Sequence, residues 1–418
     1  MLTEDQKVVL YLFKCALHGQ KADPRRLKTE YSSFSWTTVM EIARSHNILP
    51  VIFSVSEDVA DFVRHPDFPK LTRQVMSMVA GQIQRNQALL ELYRAFGKAQ
   101  VPLPLVMKGI VCRELYGDYA DYRPSSDEDL LVAREDFFAV AEVLKEQGFV
   151  SDKPGVTPAQ LEDLQEVSFF QASSGLLVEL HVNAIGHENL WRRGVNESFN
   201  NVIAHSRVFC IDDVTFRAME HTEEFVFLTF HALKHLTCGG VGIRQIGDIL
   251  LYAEKFYDAI DWDKVWQILE ENKGSQFLTD ICFIGEKYLG ISVKSQGSPC
   301  CPGDLLPEIF VSGAFGNSTQ EQRTAVHLTG AAVSNGDNTW FGRLHVFMTL
   351  IFPGRYDLLN MHPELKEKPW LLPVCWVRRW MRFIRHNRET GGNLAAKSLA
   401  IGRRRVRLLK KYGLVSGL

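Results

Sequence analysis

The chain has 418 residues, 46% of them hydrophobic and 23% charged, with a formal net charge of −2. That balance is ordinary for a globular protein of two or three domains, and it excludes a chain-wide basic field that would draw in nucleic acid. Eight scattered cysteines without a CxxC pair exclude a disulfide scaffold and fit reduced thiols. No apolar run approaches the ~20 residues of a membrane span, and the N-terminus lacks the basic region and cleavage site of a signal peptide, so a cytoplasmic protein is expected.

In chain order, residues 1–98 read as an N-terminal helical segment. Thr3 is placed to cap "EDQKVVLYLFKCAL", whose apolar residues recur at three- and four-residue spacing. "WTTVMEIARSHNILPVIFSV" and "PKLTRQVMSMVAGQIQRNQALLELYRAFGKAQ" repeat that period.

The texture changes over residues 99–215. "VPLPLVM" is short, apolar and bounded by prolines, which marks a buried strand. "IVCRELYG" predicts a short helix ending at Gly117, "DEDLLVA" a strand, and "REDFFAVAEVLKEQGF" an amphipathic helix. "VSFFQAS" and "GLLVELHVN" flank "SSG" as a hairpin. The order β-α-β-α-β-β predicts a mixed sheet with helices packed on it. Residues 216–418 return to helical periodicity, in "MEHTEEFVFLTFHALKHL", "GIRQIGDILLYAEKF" and "DWDKVWQILEENK". The segment Val377–Lys411 carries twelve Lys and Arg against one acid. It reads as a solvated basic helix; nucleic-acid contact there is possible in charge terms but not favoured.

The candidate chemistry lies in the middle segment. Asp127 and Asp129 are two apart on a strand and so share a face. Glu179 and His181 share a face of a later strand. Three carboxylates from adjacent strands suit Mg²⁺, or Mn²⁺, together with substrate phosphates. A half-buried strand end bearing such a pair needs a compensating cation; without one the three carboxylates repel, and removing one charge relieves strain. Lys108-Gly109 closes a strand and opens a helix, where backbone N–H groups and the lysine charge favour phosphate. The plain alternative for a lone DxD is a solvated turn.

The stretch "MKGIVCRELYGDYADYRPSSDEDLLVAREDFFAVAEVLKEQGF", with the later "VELHVN", resembles the uncharacterised bacterial nucleotidyltransferase family of the polymerase-β superfamily. "RPSSD-x-DLLV" is the specific part; "HNILPVIF", "FHALKHL…GIRQIGDILLY" and "IFPGRYDLLNMHPELKEKPWLLPVCWVRRWMRFI" extend the resemblance over most of the chain. The resemblance implies an α+β fold with a nucleotidyltransferase-type mixed sheet between helical segments. It also implies transfer of a nucleoside monophosphate from an NTP, with ATP expected, to an acceptor hydroxyl or phosphate with release of pyrophosphate. The acceptor class it leaves open is a small molecule, glycan or peptide. Asp127, Asp129 and Glu179 become metal ligands and catalytic carboxylates. Lys108, Gly109, Ser125 and Ser126 line the triphosphate, and Arg123, His181 and Arg244 are further nucleotide contacts. Two other readings stand beside it: a toxin-like enzyme modifying tRNA or a protein, and a nucleotide-binding module with a degenerate site.

The chain departs from the family pattern at two points. Gly109 is followed by Ile110 where the superfamily has a second small residue, and Glu128 stands where an apolar residue is usual. Glu128 faces away from the aspartates and needs a partner, for which Arg123 and Arg134 are the sequence candidates. His231 and His235, at i and i+4, have zinc-ligand spacing but no HExxH base, so a packed pair is expected. Arg244 and Asp248 are one helical turn apart, spaced either for an intrahelical ion pair or for a phosphate contact. Trp191, Trp262, Trp266 and Trp340 are expected in the core or at domain contacts.

Overall fold

In a computed structural model, residues 2–31, 33–162, 164–186, 190–314, 368–389 and 394–414 are described, with isolated positions at 352, 354 and 365. The chain divides into two compact units, Met1–Leu233 with Val241–Ala314, and Lys234–Gly240 with Phe315–Leu418. Trp340, the side chain of Trp191 and most of the "IFPGRYDLL" segment lie outside the described residues.

The first unit is built on one seven-stranded mixed sheet, so the fold is α+β as expected. Its strands are β1 (Leu105–Val106), β2 (Asp127–Leu131), β3 (Val150–Ser151), β4 (Glu166–Gln171), β5 (Leu176–His181), β6 (Ser206–Ile211) and β7 (Val214–Met219). They lie in the order β3-β4-β5-β2-β1-β7-β6. β2 runs parallel to β5 and antiparallel to β1, and β1 runs parallel to β7. The expected β4–β5 hairpin is present. The β6–β7 hairpin was not expected: "SRVFCIDDVTFRAM" alternates weakly, and its two strands pair only across a tight turn. "IVCRELYG" is also not one helix. An α-turn over Ile110–Arg113 passes into 3₁₀ turns over Glu114–Tyr122, kinked at Gly117.

The N-terminal helix Glu4–Leu17 begins at Thr3 with a reciprocal cap. Thr3 Oγ1 accepts the Gln6 N–H, and the Gln6 side chain accepts the Thr3 N–H. Its apolar face packs on helices Trp36–Ser45 and Leu49–Ser56. Helix Ile243–Lys255 is buried from Ile243 to Ala253 and approaches Phe13 so closely that a Cβ on Gly247 would stand 2.6 Å from the ring. The long helix Phe68–Ala99 lies against the sheet. Tyr93 packs against Phe216 of β7 with the rings tilted by 38° and their centroids 4.3 Å apart, and its hydroxyl donates to the Pro104 carbonyl at 2.9 Å. Of the expected core tryptophans, Trp266 is buried and Trp262 packs edge-on to Phe225. No described helix is long and apolar enough to cross a membrane.

Candidate active site

The parallel β2–β5 ladder places Asp129 beside Glu179, Asp127 beside Leu177 and Leu131 beside His181. Alternation sends Asp127, Asp129, Glu179 and His181 to one face of the sheet and Glu128 and Leu130 to the other. β1, next to β2, ends at Val106, and two residues on Lys108 turns its side chain back over the aspartates. Lys108 Nζ donates to Asp127 Oδ2 at 2.7 Å and lies 3.1 Å from Asp129 Oδ2. The compensating cation is therefore part of the chain, and the picture of three unneutralised carboxylates under strain is corrected.

The charge states follow from this packing. Burial is the largest single influence on Asp127 and Asp129 and works against their ionised carboxyls, but the Lys108 ammonium, joined by the Ser126 bond at Asp127 and by His181 and His231 at Asp129, holds both below the usual carboxylate range. Burial likewise opposes charge on Lys108, yet Asp127 and Asp129 raise its pKa. Glu179 is pushed up, by burial first and by the neighbouring Asp129 charge. His181 is raised to about 9 because Asp129 and Glu179 outweigh its burial.

Asp129, Glu179 and His181 each offer one ligand atom, all within 4.8 Å of one another. Asp129 Oδ1 and Oδ2 and His181 Nε2 are buried and have no hydrogen-bond partner among the described residues. Asp129 Oδ2 is ion-paired with Lys108, but Asp129 Oδ1 and His181 Nε2, left without hydrogen-bond partners beside Glu179, fit a divalent cation. Asp127 stands apart from that group, tied to Lys108 and, through Oδ1, to the Ser126 hydroxyl at 2.9 Å.

The "RPSSD" loop is clamped from below. Arg123 forms a two-pronged bond to Asp248, Nε to Oδ1 at 2.8 Å and Nη2 to Oδ2 at 2.6 Å, and Tyr116 donates to the same carboxylate. Asp248 thus serves Arg123, not Arg244 of its own helix. Arg244 donates to the Pro124 carbonyl, and the Ser125 N–H donates to the buried Gln82 side chain at 2.9 Å. Ser125 Oγ donates to the Asp127 carbonyl at 2.9 Å. In the structure Arg123, Arg244 and Ser125 hold the loop, while Lys108, Ser126 and His181 surround the carboxylates.

Glu128 pairs with Arg113, not with Arg123 or Arg134. Its Oε1 accepts from Arg113 Nη1 at 2.5 Å and its Oε2 from the Ile110 N–H at 2.9 Å. Gly109, at φ +64°, leaves room for that carboxylate, since a Cβ there would stand 2.0 Å from Glu128 Oε2. The N–H after the Gly turn is thus taken by an internal anion.

Two neighbours were not expected at the site: Glu166, and His231, which was expected only in a packed pair with His235. His231, from helix His221–Cys238, brings Nε2 to 3.9 Å from Asp129 Oδ2. Glu166 stands opposite His181 across the β4–β5 pair, with Oε2 3.5 Å from Nδ1. Counting the hairpin register from its turn would have found Glu166; the spacing of His231 with His235 was legible, but nothing local in the sequence brings His231 to Asp129.

A strand pair bearing carboxylates on one face, flanked by a lysine and backed by a clamped loop, is compatible with metal binding, and a family match makes the protein a transferase of phosphorus-containing groups. The chain belongs to a family of nucleotidyltransferases, described as uncharacterised, whose model matches residues 32–290 and so takes in the whole sheet and the site. No curated protein and no solved structure matches the chain.

Proposed function

We propose that the protein moves a nucleoside monophosphate from an NTP, with ATP the expected donor, to an acceptor hydroxyl or phosphate. The acceptor is a small molecule, glycan or peptide. The new bond joins the acceptor oxygen to the α-phosphorus, the α–β bridging bond breaks, and pyrophosphate leaves. The observation that carries the reading is the set of orphaned, buried ligand atoms on Asp129 and His181 beside Glu179, on the face shared with Asp127.

Asp129 and Glu179 would hold a divalent cation, with Asp127 beside them. Bound there, such a cation supplies charge neutralisation for the phosphates and a lowered pKa for the attacking hydroxyl. Asp127 and Asp129 are held below the usual carboxylate range against their burial, by Lys108 with Ser126 at Asp127 and by Lys108 with His181 and His231 at Asp129. Lys108 has three donors, and its contacts to the aspartates leave it able to meet an incoming phosphate as well. Ser126 orients Asp127, and the Arg123–Asp248 and Arg244–Pro124 bonds fix the loop that carries it.

The test is calorimetric titration with a non-hydrolysable ATP analogue, with and without Mg²⁺ or Mn²⁺, followed by pyrophosphate-release assays against an acceptor panel. Binding that needs the cation, and is lost in Asp129→Asn, is expected. Binding indifferent to both would overturn the reading.

A further inference from the structure

We propose that His181 is itself a metal ligand, so that Asp129, Glu179 and His181 select a first-row divalent cation, with Mn²⁺ preferred to Mg²⁺. This rests on the metal-dependent reading above and specifies its cation.

The two sides of the His181 ring differ. Nδ1 lies 3.3 Å from the Asn183 carbonyl oxygen and 3.5 Å from Glu166 Oε2. The Asn183 carbonyl accepts a proton on Nδ1, whereas Glu166 Oε2 makes no hydrogen bond among the described residues and the Gln165 side-chain nitrogen also lies 3.5 Å from Nδ1. Nε2 faces the other way, 3.7 Å from Asp129 Oδ1 and 3.8 Å from Glu179 Oε2. Those separations exceed a hydrogen bond. A cation about 2.1 Å from each donor places neighbouring donors roughly 3 Å apart and opposite ones roughly 4 Å apart. The two His181 spacings fall between these values, and all three ligand atoms lie within 4.8 Å of one another. A ligating histidine whose second nitrogen bonds a carboxylate or backbone carbonyl is the usual outer-shell pattern, and the Asn183 carbonyl supplies it here.

Asp129 divides its two oxygens. Oδ2 faces Lys108 at 3.1 Å and His231 at 3.9 Å, and Oδ1 faces His181. The lysine thus balances one side of the carboxylate and leaves the other for the ion. His181 is only 2% exposed, whereas the Glu179 side chain is 26% exposed and gives the group its opening to solvent. An imidazole nitrogen in the set discriminates between cations: Mg²⁺ holds oxygen ligands and water, whereas first-row transition ions accept nitrogen. The competing role for His181 is a buried countercharge to Asp129 and Glu179, which binds no ion.

Electron paramagnetic resonance of the full chain titrated with Mn²⁺, with Mg²⁺ as competitor, tests this. Mn²⁺ should bind at least about tenfold more tightly than Mg²⁺. The bound ion should show ¹⁴N coupling in wild type and in His231→Gln but not in His181→Gln. His181→Gln should weaken Mn²⁺ by at least the roughly 10–100-fold that losing an outer-shell partner costs, with Mg²⁺ little changed. The wild-type ¹⁴N signal needs no variant to fold. Bound Mn²⁺ without ¹⁴N coupling, or with equal Mn²⁺ and Mg²⁺ affinity, overturns the His181 assignment and leaves metal-dependent transfer standing. Failure to bind either cation, with or without the ATP analogue, overturns both.

Discussion

Asp129 of β2 and Glu179 of β5 occupy the same rung of a parallel ladder, so their side chains leave the sheet side by side, with Lys108 Nζ 3.1 Å from the aspartate. Lys108 is the charge that makes this arrangement tolerable in the folded chain without a ligand. Lys108→Met should therefore lower stability by about 3 kcal/mol or more, since breaking a buried ion pair strands the partner charges. Adding Asp127→Asn to that variant should restore part of the loss. Urea denaturation of the two single variants and the double variant measures the coupling; additive losses would show that the three groups do not share an electrostatic balance.

Asp129→Asn should keep the fold and reduce transfer by at least about a hundredfold, because it removes a ligand that acts as charge develops. Asp127→Asn leaves Lys108 with one partner and should cost about 1–2 kcal/mol as well as activity. Single-turnover assays beside thermal melts separate the two effects. An Asp129→Asn enzyme of wild-type rate would remove this carboxylate from the site.

The Arg123–Asp248 clamp is buried and two-pronged. Asp248→Asn should cost about 3 kcal/mol, because Arg123 keeps its charge and loses its partner. It should also weaken nucleotide binding, through the loop that carries Ser126 and Asp127. A variant with wild-type melting and wild-type affinity would show the clamp to be dispensable.

Gly109→Ala meets two penalties together, a left-handed φ of +64° and a Cβ 2.0 Å from Glu128 Oε2. A loss of roughly 2–4 kcal/mol, or failure to accumulate as folded protein, is expected. Circular dichroism and yield on expression check it, with Gly97→Ala as control, since no atom lies within 4 Å of a Cβ there.

His46 is buried, accepts the Ile243 N–H through Nδ1 at 3.2 Å, and packs edge-on to Phe310. Burial pushes its pKa down to about 4. Between about pH 6.5 and pH 4 the unfolded chain therefore binds a proton that the folded one refuses. Stability from this site is fully present above about pH 6.5 and falls as pH drops toward 4, by on the order of 3 kcal/mol. Melting temperatures over that window should fall more steeply for wild type than for His46→Gln; parallel curves would assign the acid sensitivity elsewhere.

Much of the sheet was readable from local pattern. "DEDLL" and "LLVELH" carry enough apolar residues between their acids to read as strands, and the period of two alone puts Asp127 with Asp129 and Glu179 with His181. The β6–β7 hairpin was missed because "SRVFCI" mixes polar and apolar residues without a clean period; on an edge strand nothing requires one. The kink at Gly117 was read as a helix end, because a glycine signals a break without saying which way the chain resumes.

The sequence by itself determined which side chains share a face of each strand, because side-chain direction follows from backbone geometry two residues at a time. The family resemblance, carried by "RPSSD-x-DLL", added what such a face is used for. Tertiary structure alone decided the partners. Lys108 answers Asp127 and Asp129 because β1 lies next to β2, and Asp248 answers Arg123 across 125 residues of chain. Glu128 takes Arg113 and the Ile110 N–H because the turn after Gly109 folds back over it. Each is a pairing of charges removed from water, where only close approach in space offsets the cost of desolvation. Sequence separation carries no information about that distance.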